Sequence, residues 1–311
     1  MKRVFVFEYL TGGGDAGMAE AGEALLQQGR AMRDAVVADL LEVPGVQVSA
    51  AVCEQAARLP PGAASAWARP GESAAAFVAR EAAAHDLAWV IAPETGGLLA
   101  QLSRRVDPAR WLGCDTAAIE VASSKRATLQ RLAQAGIATP LAFGDEARRW
   151  VVKPDDGAGT VDTRVHGHVG AAEQDHARRL RAGQPSTLEP WVEGEALSLS
   201  LLCEPGRADL LSVNCQQVDV DVAGRVSFDG VRINALPGAE SLVRIADAVA
   251  RALPGLRGFV GIDLVWHRLR GPVVIEVNPR VTCAYEGLSA ALDRSIAAEV
   301  LAAHVREPAC A

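Results

Sequence analysis

The 311-residue chain predicts an α/β protein that opens with a parallel sheet. In its first third, short apolar runs alternate with long helix-forming stretches, the order of strand, crossover helix and strand. Towards the other end, Phe259–Trp266 and Val273–Asn278 flank the basic turn His267–Pro272, which spells a hairpin. Half of the residues are apolar and 22% are charged, the balance of a folded chain of two or three subdomains.

The first strand is Val4-Phe5-Val6-Phe7, ended by Glu8-Tyr9 and the glycines of Thr11–Gly14. An Ala/Leu/Glu/Arg stretch from about Met18 to Leu41 reads as a helix. Pro44-Gly45 then turns the chain into a second strand, Val46–Val52. A helical pattern near Ser73–His85 leads into a third, Leu87–Ala92. Ligands on parallel sheets sit beyond the strand carboxyl ends, which here are Glu8–Gly14 and Pro93-Glu94-Thr95-Gly96.

Gly12-Gly13-Gly14-Asp15-Ala16-Gly17 satisfies the G-x-G-x-x-G pattern of dinucleotide sites. That reading also needs an acid about 20 residues on, closing the second strand. The acid after that strand, Glu54, lies 37 positions past Gly17, so the spacing fails. A helix N-terminus here suits a carboxylate or phosphate, and a plain tight turn suits the same glycines.

The net charge of −7 disfavours nucleic acid and anionic membrane surfaces as partners. Six cysteines stand far apart with no C-x-x-C pair, against a disulfide framework or zinc site. No signal-like opening and no apolar run of about 18 residues is evident, so a cytoplasmic location is expected. His166-Gly167-His168 reads as a solvated turn rather than a metal site.

In the middle, Ser123-Ser124 precedes KRATLQRLAQAG, an N-capped helix stopped by Gly136. Lys125 falls in its first turn, where the helix dipole disfavours a cation, which invites an anion; an exposed lysine also fits. A strand then delivers Lys153 into a loop containing Gly157, Gly159 and Thr160. Free backbone amides and one ammonium can grip a polyphosphate, although no G-K-[ST] follows. The bend Glu189-Pro190-Trp191-Val192-Glu193-Gly194-Glu195 precedes the alternating run Leu197–Leu202, a half-buried strand.

In the hairpin, Glu276 and Asn278 are two apart and project from one strand face. Asp263 lies in the facing strand between Ile262 and Leu264. An oxygen-only set without thiol or imidazole fits a hard cation such as Mg²⁺. A half-exposed hairpin with a wet polar face carries the same residues.

In this order, Lys125, Lys153 with its glycine loop, EPWVEGE, Asp263 and Glu276-x-Asn278 resemble the ATP-grasp superfamily of carboxylate–amine ligases. The resemblance covers residues 116 to 285. It implies an N-terminal Rossmann-like domain over 1–115, a central ATP-grasp lobe over 116–192 and a C-terminal lobe over 193–311, with ATP between two α+β lobes. It implies that Lys125 and Lys153 contact phosphates under the Asp156–Thr160 loop, and that Glu189, Trp191 and Val192 hold adenine. Asp263, Glu276 and Asn278 then bind two Mg²⁺, with Mn²⁺ as a substitute, and Arg280 neutralises the transferred phosphoryl group. Where many relatives carry a ribose-binding acid this chain has Ala196, so Glu195 takes that place by a small shift. Gly261 replaces a basic residue of some relatives, and Arg280 compensates.

A narrower resemblance joins VFVFEYLTGGG, PETGG and SVNCQQV to the subgroup of tyramine–glutamate ligases of methanofuran and methylofuran biosynthesis. It implies glutamate joined to tyramine or tyrosine, with Glu8, Tyr9, Gly13, Glu94, Asn214 and Gln216 lining the acceptor site. Relatives are often dimers, so a homodimer is an expectation. Three other readings stay open: a ligase for another amino acid or peptide pair, an NAD-binding oxidoreductase, and an ATP-binding module without turnover.

Overall fold

The protein, seen in a computed structural model that describes residues 1–14, 19–157 and 159–305, is built from three sheets. The first holds β1 (Lys2–Glu8), α1 (Ala19–Leu41), β2 (Val46–Val52), β3 (Ala64–Trp67), α2 (Ala74–Ala84) and β4 (Leu87–Ile91). Its strands run parallel in the order β3-β2-β1-β4. Val4 to Phe7 are fully buried because both faces of β1 are covered. Val4 and Val6 pack with Val36, Val37 and Leu40 of α1, while Phe5 and Phe7 pack with Phe77 of α2. The edge strand β3 is absent from the sequence reading: it is four small or exposed residues with only Ala66 buried. Asp15, Ala16 and Gly17 of the glycine fingerprint, Ala158 and Cys310 lie outside the described residues.

After α3 (Leu98–Ser103), two helices share one junction residue: α4 (Thr116–Ser123) ends at Ser124, which also caps α5 (Lys125–Gln134). The Ser124 hydroxyl accepts from Ala127 N at 3.1 Å, satisfying an orphan first-turn amide. A small antiparallel sheet of β5 (Trp150–Pro154), β6 (Arg164–His166) and β7 (Ser186–Pro190), ordered β6-β5-β7, carries α6 (Val169–Arg181). His166 is no solvated turn: it stands in β6, 3.1 Å from Asp175 of α6.

The largest sheet is antiparallel, with β8 (Glu195–Glu204), β9 (Arg207–Val220), β10 (Val226–Leu236), β11 (Gly258–His267) and β12 (Gly271–Asn278) in the order β10-β9-β8-β11-β12. One face is apolar: Leu197, Leu199, Leu201, Val213, Ile262, Leu264 and Val277 pack with Leu242, Ala246 and Val249 of α7 (Glu240–Ala252). The other face is polar. Asn214, Ser198, Asp263 and Glu276 stand directly opposite one another across four strands, so their side chains share that face.

Beyond β12, α8 (Leu288–Leu292) and α9 (Ile296–Val305) return to the first sheet's layer. Asp39 of α1 accepts from Tyr285 Oη (2.7 Å), Ser289 Oγ (2.8 Å), Ser295 Oγ (3.1 Å) and Ala297 N (2.7 Å). A carboxylate at the start of α9 also complements its dipole. The Tyr285 ring meets Trp89 and Phe259 edge-on, at 5.9 and 5.1 Å. No helix among the described residues is long and apolar enough to cross a membrane.

Candidate active site

Three buried or half-buried ion pairs define the site. Lys125, the first residue of α5, places Nζ 3.1 Å from Glu276 Oε1 and donates to the Gly157 carbonyl at 3.0 Å. Lys153 of β5 lies 2.9 Å from Glu189 Oε2, whose other oxygen accepts from Thr187 Oγ1 at 2.7 Å. Arg280, just past β12, grips Glu94 bidentately, Nε to Oε1 at 2.9 Å and Nη2 to Oε2 at 3.0 Å. These pairs belong to one constellation. Burial pushes the Lys125 ammonium towards neutrality, yet Glu276, Glu94 and Glu189 outweigh it and hold the pKa above its ordinary value.

Local sequence explains why α5 tolerates a cation at its N-terminus. Asp155, at the end of β5, accepts Lys125 N (2.8 Å) on its carbonyl, and Arg126 N (2.9 Å) and Ser124 Oγ (2.8 Å) on its carboxylate. That anion answers the dipole and frees Lys125 to face Glu276. The capping role of Asp155 is not apparent from the sequence, although Ser124 at a capping position and an acid near Lys153 both are.

Asp263 faces Glu276 across β11 and β12, and a bulge follows at once: Leu264 pairs with Val274, leaving Ile275 as the extra residue. Asp263 accepts from Gln216 Nε2 at 2.8 Å and from Asn278 Nδ2 at 3.0 Å. Burial, then the facing Glu276 carboxylate, pushes its pKa up to about 6. Two facing carboxylates that disfavour each other's charge, with an amide beside them, form a hard oxygen donor set that a divalent cation would relieve. The candidate set, Asp263, Glu276 and Asn278, holds two carboxylates and one amide; among the described residues no group of three or more His, Cys, Asp or Glu is placed to hold a metal. Gly261 has no room for a side chain, since a Cβ there would lie 2.7 Å from Thr282 Cγ2.

The bend after β7 sits over Phe143, Val192 and Val273, an apolar cluster flanked by Ala138 and Ile275. Trp191 N donates to the Arg149 carbonyl at 2.9 Å, and the Arg149 guanidinium lies 5.2 Å from the indole centroid. Gly194 is obligatory here: its φ is +155°, and a Cβ would come within 2.3 Å of the Trp266 carbonyl oxygen. Trp191 Nε1, Ser186 Oγ and Thr139 Oγ1 are buried without a hydrogen-bond partner among the described residues. Of these, Trp191 Nε1 lies on the bend itself and Thr139 Oγ1 next to Ala138 of the apolar cluster, while Ser186 is at the far end of β7. Glu195 is exposed at the start of β8, while Gly159 is exposed and Thr160 half-buried in the glycine loop.

The remaining candidates fall differently. Glu8 is buried in its own turn, accepting from Leu10 N (3.2 Å) and Thr11 N (2.8 Å), and its carboxylate rests on Gly29 of α1. Burial raises its pKa, and those amides oppose the rise. Tyr9 is half-buried with its ring against Gly14, and Gly13 has a φ of +93°. Asn214 is fully buried, bonded to Ser198, Ser200, Ser212 and Asn234 N. Gln216 joins the Asp263 group and Glu94 joins Arg280, so the fold brings those two to the centre and keeps Asn214 inside the sheet.

Residues 122–284, more than half of the chain, match the ATP-grasp domain family, and residues 47–119 match the pre ATP-grasp 3 domain. The chain belongs to the ATP-grasp family. Solved structures share the fold. A protein assigned to the ATP-grasp superfamily from Archaeoglobus fulgidus aligns with a TM-score of 0.69 at 21% identity, covering 97% of this chain and 88% of that one. D-alanine–D-alanine ligase from Bacillus anthracis, complexed with ATP, aligns at 0.65 and 14% identity over 98% of each chain. L-amino acid ligase from Bacillus licheniformis aligns at 0.62 and 15% identity, over 93% of this chain and 68% of its own. No curated protein matches the chain significantly. In this ATP-grasp chain, the mixed α/β architecture read from the sequence is the architecture observed.

Proposed function

We propose that this ATP-grasp protein is an ATP-dependent, ADP-forming carboxylate–amine ligase that works through an acyl phosphate. The observation that carries it is the convergence of Lys125, Lys153 and Arg280 on a ring of carboxylates at the junction of the three sheets. A carboxylate is a poor electrophile. Its oxygen attacks the γ-phosphorus, ADP leaves, and the mixed anhydride forms; an amine then attacks the acyl carbon and phosphate leaves. Such chemistry needs positioned cations more than a nucleophilic side chain.

Each cation of the site is already held by an acid. Lys125 and Lys153 reach phosphate oxygens while keeping Glu276 and Glu189 as counter-ions when ATP enters, and the Asp156–Thr160 loop covers them. Glu189, Trp191 and Val192 line the adenine slot, and Glu195 is the nearest acid for the ribose. Two Mg²⁺, or Mn²⁺ in their place, would be held by Asp263, Glu276 and Asn278 and would neutralise phosphate charge. The lobes divide at 1–115, 116–192 and 193–311, and the protein acts in the cytoplasm on small molecules, as a monomer or homodimer.

The VFVFEYLTGGG, PETGG and SVNCQQV segments support L-glutamate as the acid and tyramine or tyrosine as the amine, for a C1 carrier of the methanofuran or methylofuran type. The fold shared with D-alanine–D-alanine and L-amino acid ligases favours a second reading, another amino acid or peptide pair. The test is ADP release with Mg²⁺ and L-glutamate, tyramine and tyrosine being added separately and products identified by mass. A glutamyl amide formed with one amine is the expected outcome. ADP release only with another pair keeps the ligase and removes the glutamate assignment. Bound ATP with no release from any pair removes the ligase.

A further inference from the structure

The Pro93–Gly97 turn reaches from the first sheet into the active site, and no step of the reaction above uses it. Glu94 is 3% exposed and takes two hydrogen bonds from a guanidinium 186 residues away in sequence. Arg280 Nη1 donates to its own neighbour, the Val281 carbonyl, at 3.0 Å. Of the five N–H groups of an arginine, two then carry no partner among the described residues, one on each terminal nitrogen. Those two remain to donate to a phosphoryl or carboxylate oxygen.

We propose that Glu94 is a positioning residue: it stays bound to Arg280 and holds the guanidinium so that its two remaining N–H groups serve the phosphoryl group in transfer. This rests on the assignment of Arg280 to that group. The alternative is a placeholder that leaves when an anion arrives. Burial decides between them. A displaced Glu94 would remain a buried carboxylate with its two strongest donors gone, a state that is costly to maintain.

Hydrogen bonds hold the turn from both sides. Glu94 O accepts from Gly97 N at 2.9 Å, Pro93 O accepts from Leu99 N at 3.3 Å, and the chain runs straight into α3. From the other side, Gly96 N donates to Asp156 of the glycine loop at 2.8 Å. One short turn on the first sheet thus supports both the arginine and the phosphate loop, and side chains on such fixed supports hold the tolerances that phosphoryl transfer needs.

The test measures binding of inorganic phosphate, the product, to the protein loaded with Mg·ADP, in the wild type, Glu94→Asp, Arg280→Lys and the double variant. Glu94→Asp keeps the charge and shortens the reach by one methylene, so a change reports geometry. The expected result is phosphate affinity about tenfold weaker in Glu94→Asp with ADP affinity unchanged, and no further loss when it is added to Arg280→Lys. A merely structural role would weaken ADP as well and would add its full cost in the Arg280→Lys background. Unchanged or tighter phosphate binding in Glu94→Asp overturns the proposal, tighter binding being the mark of a placeholder. The result is independent of the ligase reading, which stands or falls on ADP release from the wild type with acid and amine.

Discussion

At the residue scale, each cation of the site comes with a carboxylate, so single substitutions do two things at once. Lys153→Met removes the proposed phosphate ligand and leaves Glu189, 2% exposed, without its cation. A lost charge-assisted hydrogen bond of about 1.5–3 kcal/mol predicts ATP binding weaker by roughly tenfold to a hundredfold. Stranding the buried acid costs about 3 kcal/mol of stability. Adding Glu189→Gln should restore most of the stability and none of the affinity. Urea unfolding and ATP titration of both variants separate the effects, and undiminished ATP affinity in Lys153→Met would take Lys153 out of the site. Lys125, Lys153, Asp263, Glu276 and Asn278 stood out in the chain as candidates because each lies in a strand, at a strand end or at a helix start, whereas Arg280, just past β12, was singled out only by the family resemblance. Their partners did not stand out: Lys125 and Glu276 are 3.1 Å apart across 151 residues, and no local pattern records that contact.

At the element scale, α6 is fastened to β6 through one acid. Asp175 is buried and meets His166 at 3.1 Å and Arg179 at 3.2 Å, with Arg178 as a third partner. Burial alone would raise its pKa, but Arg179, Arg178 and His166 together hold it below the usual carboxylate value. A depressed carboxylate stabilises the fold above the unfolded pKa of about 4, and that contribution disappears as pH falls through the lower folded value. Asp175→Asn should therefore cost about 3 kcal/mol near pH 7, because Arg179 stays buried without its counter-ion. The gap from wild type should narrow in strongly acidic buffer. Urea midpoints across that pH range check both statements, and a gap that widens on acidification would contradict them. The small sheet carries the glycine loop between β5 and β6, so loosening α6 should also weaken ATP binding.

At the scale of the whole molecule, the site lies where three sheets meet, and its charges do not favour bare ATP. Lys125, Lys153 and Arg280 face Glu276, Glu189, Glu94 and Asp263, which leaves an excess of negative charge. Free ATP, itself strongly anionic, should bind poorly in EDTA, and Mg²⁺ should restore binding by reversing that balance. Ligand at a hundredfold excess over Kd contributes about 2.7 kcal/mol, a shift of several degrees in the melting temperature. Thermal melts with ATP and EDTA, then with ATP and Mg²⁺, show whether the shift needs the metal; an equal shift in both would place the nucleotide away from Asp263 and Glu276. NADH in the same melts should produce no shift.

From the sequence alone follow the α/β class, the parallel first sheet and the hairpin of β11 and β12, which rest on periodicities of two and 3.6 residues and on turn chemistry acting within a few positions. The order of the ATP-grasp motifs was legible through resemblance to the family, which the match over residues 122–284 bears out. The edge strand β3, the helices α4 and α7, the strand β10 and the capping role of Asp155 escaped the sequence reading. These elements are short, or draw their stability from surfaces contributed by distant parts of the chain, as the apolar face of α7 does against β8, β9 and β12. The same reason separates the site residues. That Glu94 turns to Arg280, that Asn214 is sealed among serines and that Gln216 reaches Asp263 depend on burial and on strand register across long sequence separations. Such contacts come into being only when the sheets pack, because a buried charge or amide accepts whichever partner the fold brings within reach.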